Sequence, residues 1–442
     1  MFIRESMKRI LGFILVILLI KENAAAQADS LLREATLQNV VQYALQNQPL
    51  LKQSVIDEQI TEQTIKSKLA DWYPQVNFGY NYQHNFQLQQ TVFAGNTVKI
   101  GVNNTSALTF TGTQNIFNRD VLLASRTAED VRRAARQNTA GNKIDVAVTA
   151  TKAFYDVLAT LQQIKVAEET ITRLERSLKD ATAQYNVGIT DKTDYKRATI
   201  ALNNAKASKA ANTDLLNARI EYLKTVIGYP VDKNLNIVYD SLAMEREVFT
   251  DTLQRVDYTK RIEYQRLATQ KKLQEANLKY NRWSFIPTVS AFGAYNLNYF
   301  NNSFSKLYNT AAPNSYAGLT VAFPIFQGFK RTANIRQAEL QVNRVDWDII
   351  SLQKSINAEY AQALAAYKAN FENYKALKEN VDLAQEVYDV IQLQYKAGVK
   401  TYLEVITSET DLRTARINYY NALYQVLASK TDVQKALGQI NY

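Results

Sequence analysis

One set of residues occurs twice in this chain of 442, at a fixed separation of 210 positions. Tyr185, Gly188, Leu202, Ala205, Ala218 and Gly228 return without a gap as Tyr395, Gly398, Leu412, Ala415, Ala428 and Gly438. Asp194 and Lys206 return with their charge as Glu404 and Arg416. Upstream of each set, Trp72-Tyr73-Pro74-Gln75-Val76 answers Phe285-Ile286-Pro287-Thr288-Val289, and Asn115-Ile116-Phe117 answers Pro324-Ile325-Phe326. Each half therefore reads as long helix, extended pair, very long helix, glycine turn, long helix. A chain built by such duplication is expected to be architectural rather than catalytic.

The helices are long. Arg119 to Tyr185 contains no proline and a single glycine, Gly141, and at about 1.5 Å per residue spans on the order of 100 Å. Its second half keeps a 3-4 spacing through Phe154, Val157, Leu161, Ile164, Ile171, Leu178 and Tyr185, the period of a coiled coil. Leu364, Tyr367, Phe371, Tyr374, Val381, Tyr388 and Tyr395 hold the same register in the second half. Polar residues interrupt both seams at matched places: Glu168, Glu175 and Thr182 against Lys378, Gln385 and Gln392. Two readings account for them, a seam that opens to water toward the turn or buried polar pairs that fix register. Each very long helix ends at Tyr-x-x-Gly, where Gly188 or Gly398 supplies the left-handed backbone that lets the chain turn back.

The extended segments carry period two. Val76, Phe78, Tyr80, Tyr82 and Phe86 alternate with polar residues and glycine, Leu108 and Phe110 alternate with threonines, and Leu319, Val321 and Phe323 precede Pro324. Val289, Ala291, Tyr295, Leu297 and Tyr299 form a further strand, in which Phe292 breaks the alternation. Trp72, Tyr73, Trp283 and Phe285 gather where helix gives way to strand, the place of an aromatic girdle at a membrane surface. The connections near 87–106 and 300–315 are polar and read as exposed loops. Four strands are too few to close a membrane barrel, so either they form a soluble sheet or several chains contribute them jointly.

Met7-Lys8-Arg9, the apolar run Ile10 to Ile20 and Ala24-Ala25-Ala26 read as a signal peptide over residues 1–26. The first repeat is assigned to 27–228, a joining segment to 229–260 and the second repeat to 261–442. The net charge of +10 is scattered along helices, which does not suit a nucleic-acid partner. Cysteine is absent and His84 is the lone histidine, so neither a thiolate or histidine metal site nor a histidine-based triad can be assembled. No cofactor and no enzymatic activity are expected.

Over its whole mature length the chain resembles the TolC family of outer-membrane factors. The resemblance rests on Tyr185-Asn186-Val187-Gly188 with Thr193-Asp194, Tyr395-x-x-Gly398 with Leu403-Glu404-Val405, and the turn Pro324-Ile325-Phe326-Gln327-Gly328. It implies an α+β membrane protein: a homotrimer with a twelve-stranded outer-membrane barrel in the lipid, four strands per chain, above a coiled-coil tube in the periplasm. Residues 229–260 would join an equatorial belt. The implied role is the exit duct of a tripartite efflux or type I secretion machine, coupled through a periplasmic adaptor to an inner-membrane pump. By the same resemblance the hairpin tips (Tyr185, Val187, Gly188, Ile189, Ala397, Gly398 and Val399) meet the adaptor. A gate forms where Tyr395 and Lys400 bond to Thr193 and Asp194, with Glu404 at the constriction. Lys400 stands where the family type has arginine, and Thr407 where it has a second acid. The competing reading is a secreted structural coiled-coil protein with a soluble sheet and no pore; under it Tyr185, Tyr395, Asp194 and Glu404 are ordinary seam and helix-start residues.

Overall fold

The computed structural model describes residues 32–93, 95–188 and 191–440; the segment read as a signal peptide lies outside them. Helices α1 (Leu37–Asn47) and α2 (Pro49–Leu69) lead through a short 3-10 turn into strand β1 (Gln75–His84), the hairpin β2 (Gln89–Phe93) and β3 (Asn96–Ile100), and β4 (Asn104–Phe117). Helices α3 (Arg119–Asn186) and α4 (Lys192–Ile227) complete the first half. After the short α5 (Ser241–Arg246), the plan repeats as α6 (Ile262–Arg282), β5 (Thr288–Asn301), β6 (Ala311–Ala322), α7 (Lys330–Lys396) and α8 (Tyr402–Leu437). The two very long helices have 68 and 67 residues, and the two returning helices 36 each. No helix among the described residues is long and apolar enough to cross a membrane.

The duplication extends to single dihedral angles. Gly188 and Gly398 turn the tips at φ +77° and +78°, and Gly228 and Gly438 end the returning helices at +71° and +69°. At the tips a side chain would meet open space, but a Cβ on Gly228 would lie 2.7 Å from the Asn47 carbonyl oxygen. On Gly438 it would lie 3.0 Å from the Lys260 carbonyl oxygen. The first two glycines are therefore needed for conformation alone. The second two also let the chain leading into the next helix pack backbone to backbone.

Strands β1, β4, β5 and β6 pair in that order as one antiparallel sheet, whose outer edges, β1 and β6, are unpaired in the single chain. The connection expected as a loop near 87–106 is instead largely the β2–β3 hairpin, a separate two-stranded sheet. Near 300–315 the strands run on to Asn301 and resume at Ala311, leaving a 3-10 turn over Phe304–Asn309. Phe292, the exception to alternation, faces Gly318 across the β5–β6 ladder, and a Cβ there would lie 2.8 Å from the Phe292 ring. The ring occupies the space that the glycine leaves, so the strand has one phase throughout.

The main core lies where the helical hairpins meet residues 229–256. Phe154, Val157, Leu158, Leu223, Ile227, Leu423 and Leu427 are fully buried against Tyr229, Met244 and Val248. A small satellite core of Leu174, Leu202 and Ala205 continues toward the first tip. Two of the polar interruptions of the first seam face water: Glu168 pairs with Lys209 at 2.9 Å and Glu175 with Lys206 at 3.0 Å, all four side chains exposed, while the part-buried Thr182 donates to the Leu178 carbonyl. Such pairs fix α3 against α4 with little net stabilisation.

Candidate functional site

Each tip presents an exposed valine beside its glycine, Val187 at 70% and Val399 at 71% exposure, so the duplicated turns offer duplicated apolar points. Tyr185 packs its ring 5.1 Å from Tyr195, and Ala397 caps α7. Ile189 lies outside the described residues.

The residues expected to form a gate come together near the tips, and within the chain their pairings differ from those expected. The Tyr395 hydroxyl donates to Gln184 Oε1 at 2.8 Å, and not to Asp194. Burial first, then the Asp194 carboxylate, raise its pKa. Lys400 donates to Glu404 Oε1 at 2.6 Å instead of crossing to the first hairpin. Thr193 turns back to Asp191, the N-cap of α4. The reason is local reach: Lys400 and Glu404 are one helical turn apart, and Asp191 and Thr193 are adjacent to one helix start. Glu404 is also the far half of a capping box, its Oε2 accepting from the Thr401 N–H at 2.9 Å and the Thr401 hydroxyl at 3.0 Å. The Lys400 ammonium and these Thr401 donors hold its pKa down at about 2.

A ladder of contacts between antiparallel α3 and α8, not marked by the sequence, joins the two hairpins. From the tips upward it runs Ser177 to Tyr402 (2.9 Å), Arg173 to Glu409 (2.9 Å), Arg416 to Glu169 (2.6 Å), Gln163 to Asn421 (2.8 Å) and Lys152 to Asp432 (2.6 Å). Tyr402 is 1% exposed. The Arg173–Glu409 pair is the one with a buried carboxylate, whose pKa burial raises despite the guanidinium. Opposite charges of this kind occur throughout the helices, so spacing alone gives no means of choosing these partners.

At the strand starts, Trp72 is half-buried, its carbonyl accepting from Gln114 Nε2, while Tyr73 and Phe285 are exposed. Trp283 lies between two cations, Arg126 at 4.7 Å and Lys279 at 5.1 Å from its ring. Ile325, Phe326 and Phe329 add an exposed apolar cluster at the same level, with Phe329 in left-handed backbone at φ +64°.

Long paired helical hairpins joined end-on to an antiparallel sheet with one apolar face define the class of outer-membrane channel subunits. The chain belongs to the outer membrane efflux protein family, whose model matches residues 40–229 and 263–439. It is 22% identical to the outer membrane protein TolC of Escherichia coli over 98% of this chain and 87% of that one. To the outer membrane efflux protein BepC of Brucella suis it is 22% identical, over 92% and 86% of the two chains. The fold matches the open-state MtrE outer membrane channel of Neisseria gonorrhoeae with a TM-score of 0.72 at 19% identity, over 91% of this chain and 88% of that one. The protein is thus an outer-membrane exit duct for efflux, with strands for a barrel and helices for a tube. The alternative of a pore-less secreted protein falls with that membership.

Proposed function

We propose that three copies of this chain close one twelve-stranded barrel and one helical tube, and that the tube's tips dock a periplasmic adaptor linked to an inner-membrane pump. The observation that carries the trimer is the open sheet: β1 and β6 leave their backbone groups unpaired at both edges of a sheet with an exposed apolar face. Lipid cannot satisfy such edges, whereas β1 of one copy and β6 of the next can satisfy each other. Val187 and Val399, exposed beside the turn glycines, are the points offered to the adaptor, with Tyr185, Gly188, Ala397 and Gly398 beside them. Trp72, Tyr73, Trp283 and Phe285 mark the periplasmic edge of the membrane.

The gate is proposed at Tyr395, Lys400, Thr193, Asp194 and Glu404. Within one chain Lys400 and Glu404 satisfy each other, so closure between copies would exchange that local pair for contacts to a neighbour's Thr193 and Asp194. Charge-assisted contacts contribute about 1–3 kcal/mol each, and three copies would bias the pore by several kcal/mol. Detergent-purified protein should have the mass of a trimer, and Tyr395→Phe with Lys400→Ser should raise single-channel conductance in planar bilayers. A monomer that conducts overturns the assembly; a double variant that conducts like the parent places the lock elsewhere.

A further inference from the structure

The turn Phe304–Asn309 between β5 and β6 folds back along the sheet, and the strand register identifies the face it covers. Phe78, Tyr80 and Tyr82 of β1 stand opposite Phe110, Leu108 and Ser106 of β4. Those stand opposite Tyr295, Leu297 and Tyr299 of β5. Side chains on one strand alternate between faces, so these residues share the apolar face, while Asn81, Thr109 and Asn298 share the polar one. Every ring contact and tyrosine bond of the turn falls on the apolar face. The Tyr308 hydroxyl lies 2.9 Å from that of Tyr80 and donates to Ser106 Oγ at 3.3 Å. Its ring sits 5.1 Å from Tyr299, and the Phe304 ring 5.5 Å from Tyr82.

Asn104 and Ser106 occupy the register that Leu108 and Phe110 hold further down, so they sit on the lipid-facing wall of the barrel. Bare to hydrocarbon, each would leave hydrogen-bonding groups that lipid cannot satisfy. The turn prevents that. Asn104 Nδ2 donates to the Asn302 carbonyl at 3.1 Å, Leu307 packs beneath, and Asn104 and Ser106 are each 2% exposed. The new outer surface consists of Phe304, 62% exposed, with Tyr308 and Lys306 also exposed.

We propose that residues 302–310 form an outward strap that seats Phe304, Tyr308 and Lys306 in the phosphate-bearing headgroup layer of the outer leaflet. The proposal rests on the membrane-channel reading above. Continuity with the apolar wall selects lipid as the partner. Aromatic rings with a polar edge suit the boundary between hydrocarbon and headgroups, and the Lys306 ammonium suits phosphate. The strap thereby extends the wall upward over strand residues too polar to face lipid themselves.

The chain has no cysteine, so Phe304→Cys, Phe110→Cys and Thr109→Cys each give full-length protein with one nitroxide-labelled site. In vesicles of phosphatidylethanolamine and phosphatidylglycerol, the ratio of oxygen to nickel-chelate accessibility should be highest at 110. It should be lowest at 109, in the lumen, and at 304 severalfold above the 109 value. Tyr308→Ala should return the 304 label to the aqueous ratio, and Lys306→Glu should shift it toward water. An aqueous ratio at 304 with a lipid-buried 110 overturns the strap and leaves the barrel intact; an aqueous 110 overturns both. No shift in Lys306→Glu overturns the phosphate contact.

Discussion

Replacing Arg173 by methionine should open the seam between the two hairpins, because it strands the Glu409 carboxylate. The side chain of Glu409 is 6% exposed and that of Arg173 24%, with Nε 2.9 and 3.0 Å from the two carboxylate oxygens. Removing one partner of a buried pair costs about 3–5 kcal/mol. Here water reaches the guanidinium and Arg416 remains nearby, so the cost falls to the bottom of that range or below it, about 2–3 kcal/mol per chain. Hydrogen exchange of the full-length protein in detergent reads this directly: amides of α3 and α8 flanking the pair should exchange roughly 30- to 150-fold faster, at about 1.4 kcal/mol per tenfold. Other charged groups face the same cleft, Arg197 from α4 and Arg413 from α8, and Tyr388 of α7 contacts the carboxylate. The sign with pH follows from the raised pKa of Glu409, which burial pushes further once Arg173 is gone. A folded acid with a raised pKa holds its proton more tightly than the unfolded chain does. The deficit is thus small below the ordinary carboxyl pKa of about 4.3, grows as pH rises from there to the folded value, and levels off above it. Arg173→Met with Glu409→Leu removes the stranded charge and should restore exchange to within a few-fold of the parent. Unchanged exchange in the single variant, or a double variant as fast as the single, refutes the account.

The glycines should separate into two kinds. Gly188→Ala meets open space and pays only the left-handed backbone strain of about 1 kcal/mol, whereas Gly228→Ala adds a 2.7 Å contact with the Asn47 carbonyl. Thermal melts should place Gly228→Ala well below Gly188→Ala; equal melting would mean that the α1–α2 junction yields freely. For Glu404, a carboxylate with a pKa of about 2 adds stability above the unfolded value of about 4.3, and this is lost as pH falls toward 2. Exchange at the start of α8 should accelerate across that window in the parent and stay flat in Glu404→Gln. A flat parent profile would show that the capping box is not held in solution.

Much of the architecture is local and so legible in the chain itself. A glycine that must adopt positive φ, a 3-4 seam and a period-two strand are satisfied within a few residues. Their recurrence 210 positions later exposes the duplicated plan, down to matching angles at Gly188 and Gly398. The residues proposed for the gate stand out in the sequence because they lie within two turns of those glycines. Their partners were not. Lys400 met Glu404 and Tyr395 met Gln184 because pairing depends on which oxygen lies within 3 Å, and shifting one helix past another by a single turn changes every answer.

What the tertiary structure alone decided has a common physical cause: contacts between segments far apart in the chain. The ladder from Ser177–Tyr402 to Lys152–Asp432 joins residues 225 to 280 positions apart, and no local pattern marks either member. Phe292 reads as an error of alternation until Gly318 is seen across the strand pair. Asn104 and Ser106 lie in a stretch read as an exposed loop, and the fold instead buries them in β4 beneath Tyr308 and Asn302. Sequence sets which faces are apolar and where the chain turns, because those preferences act residue by residue. Register between distant elements sets which polar groups find partners, because a hydrogen bond of about 3 Å tolerates little displacement.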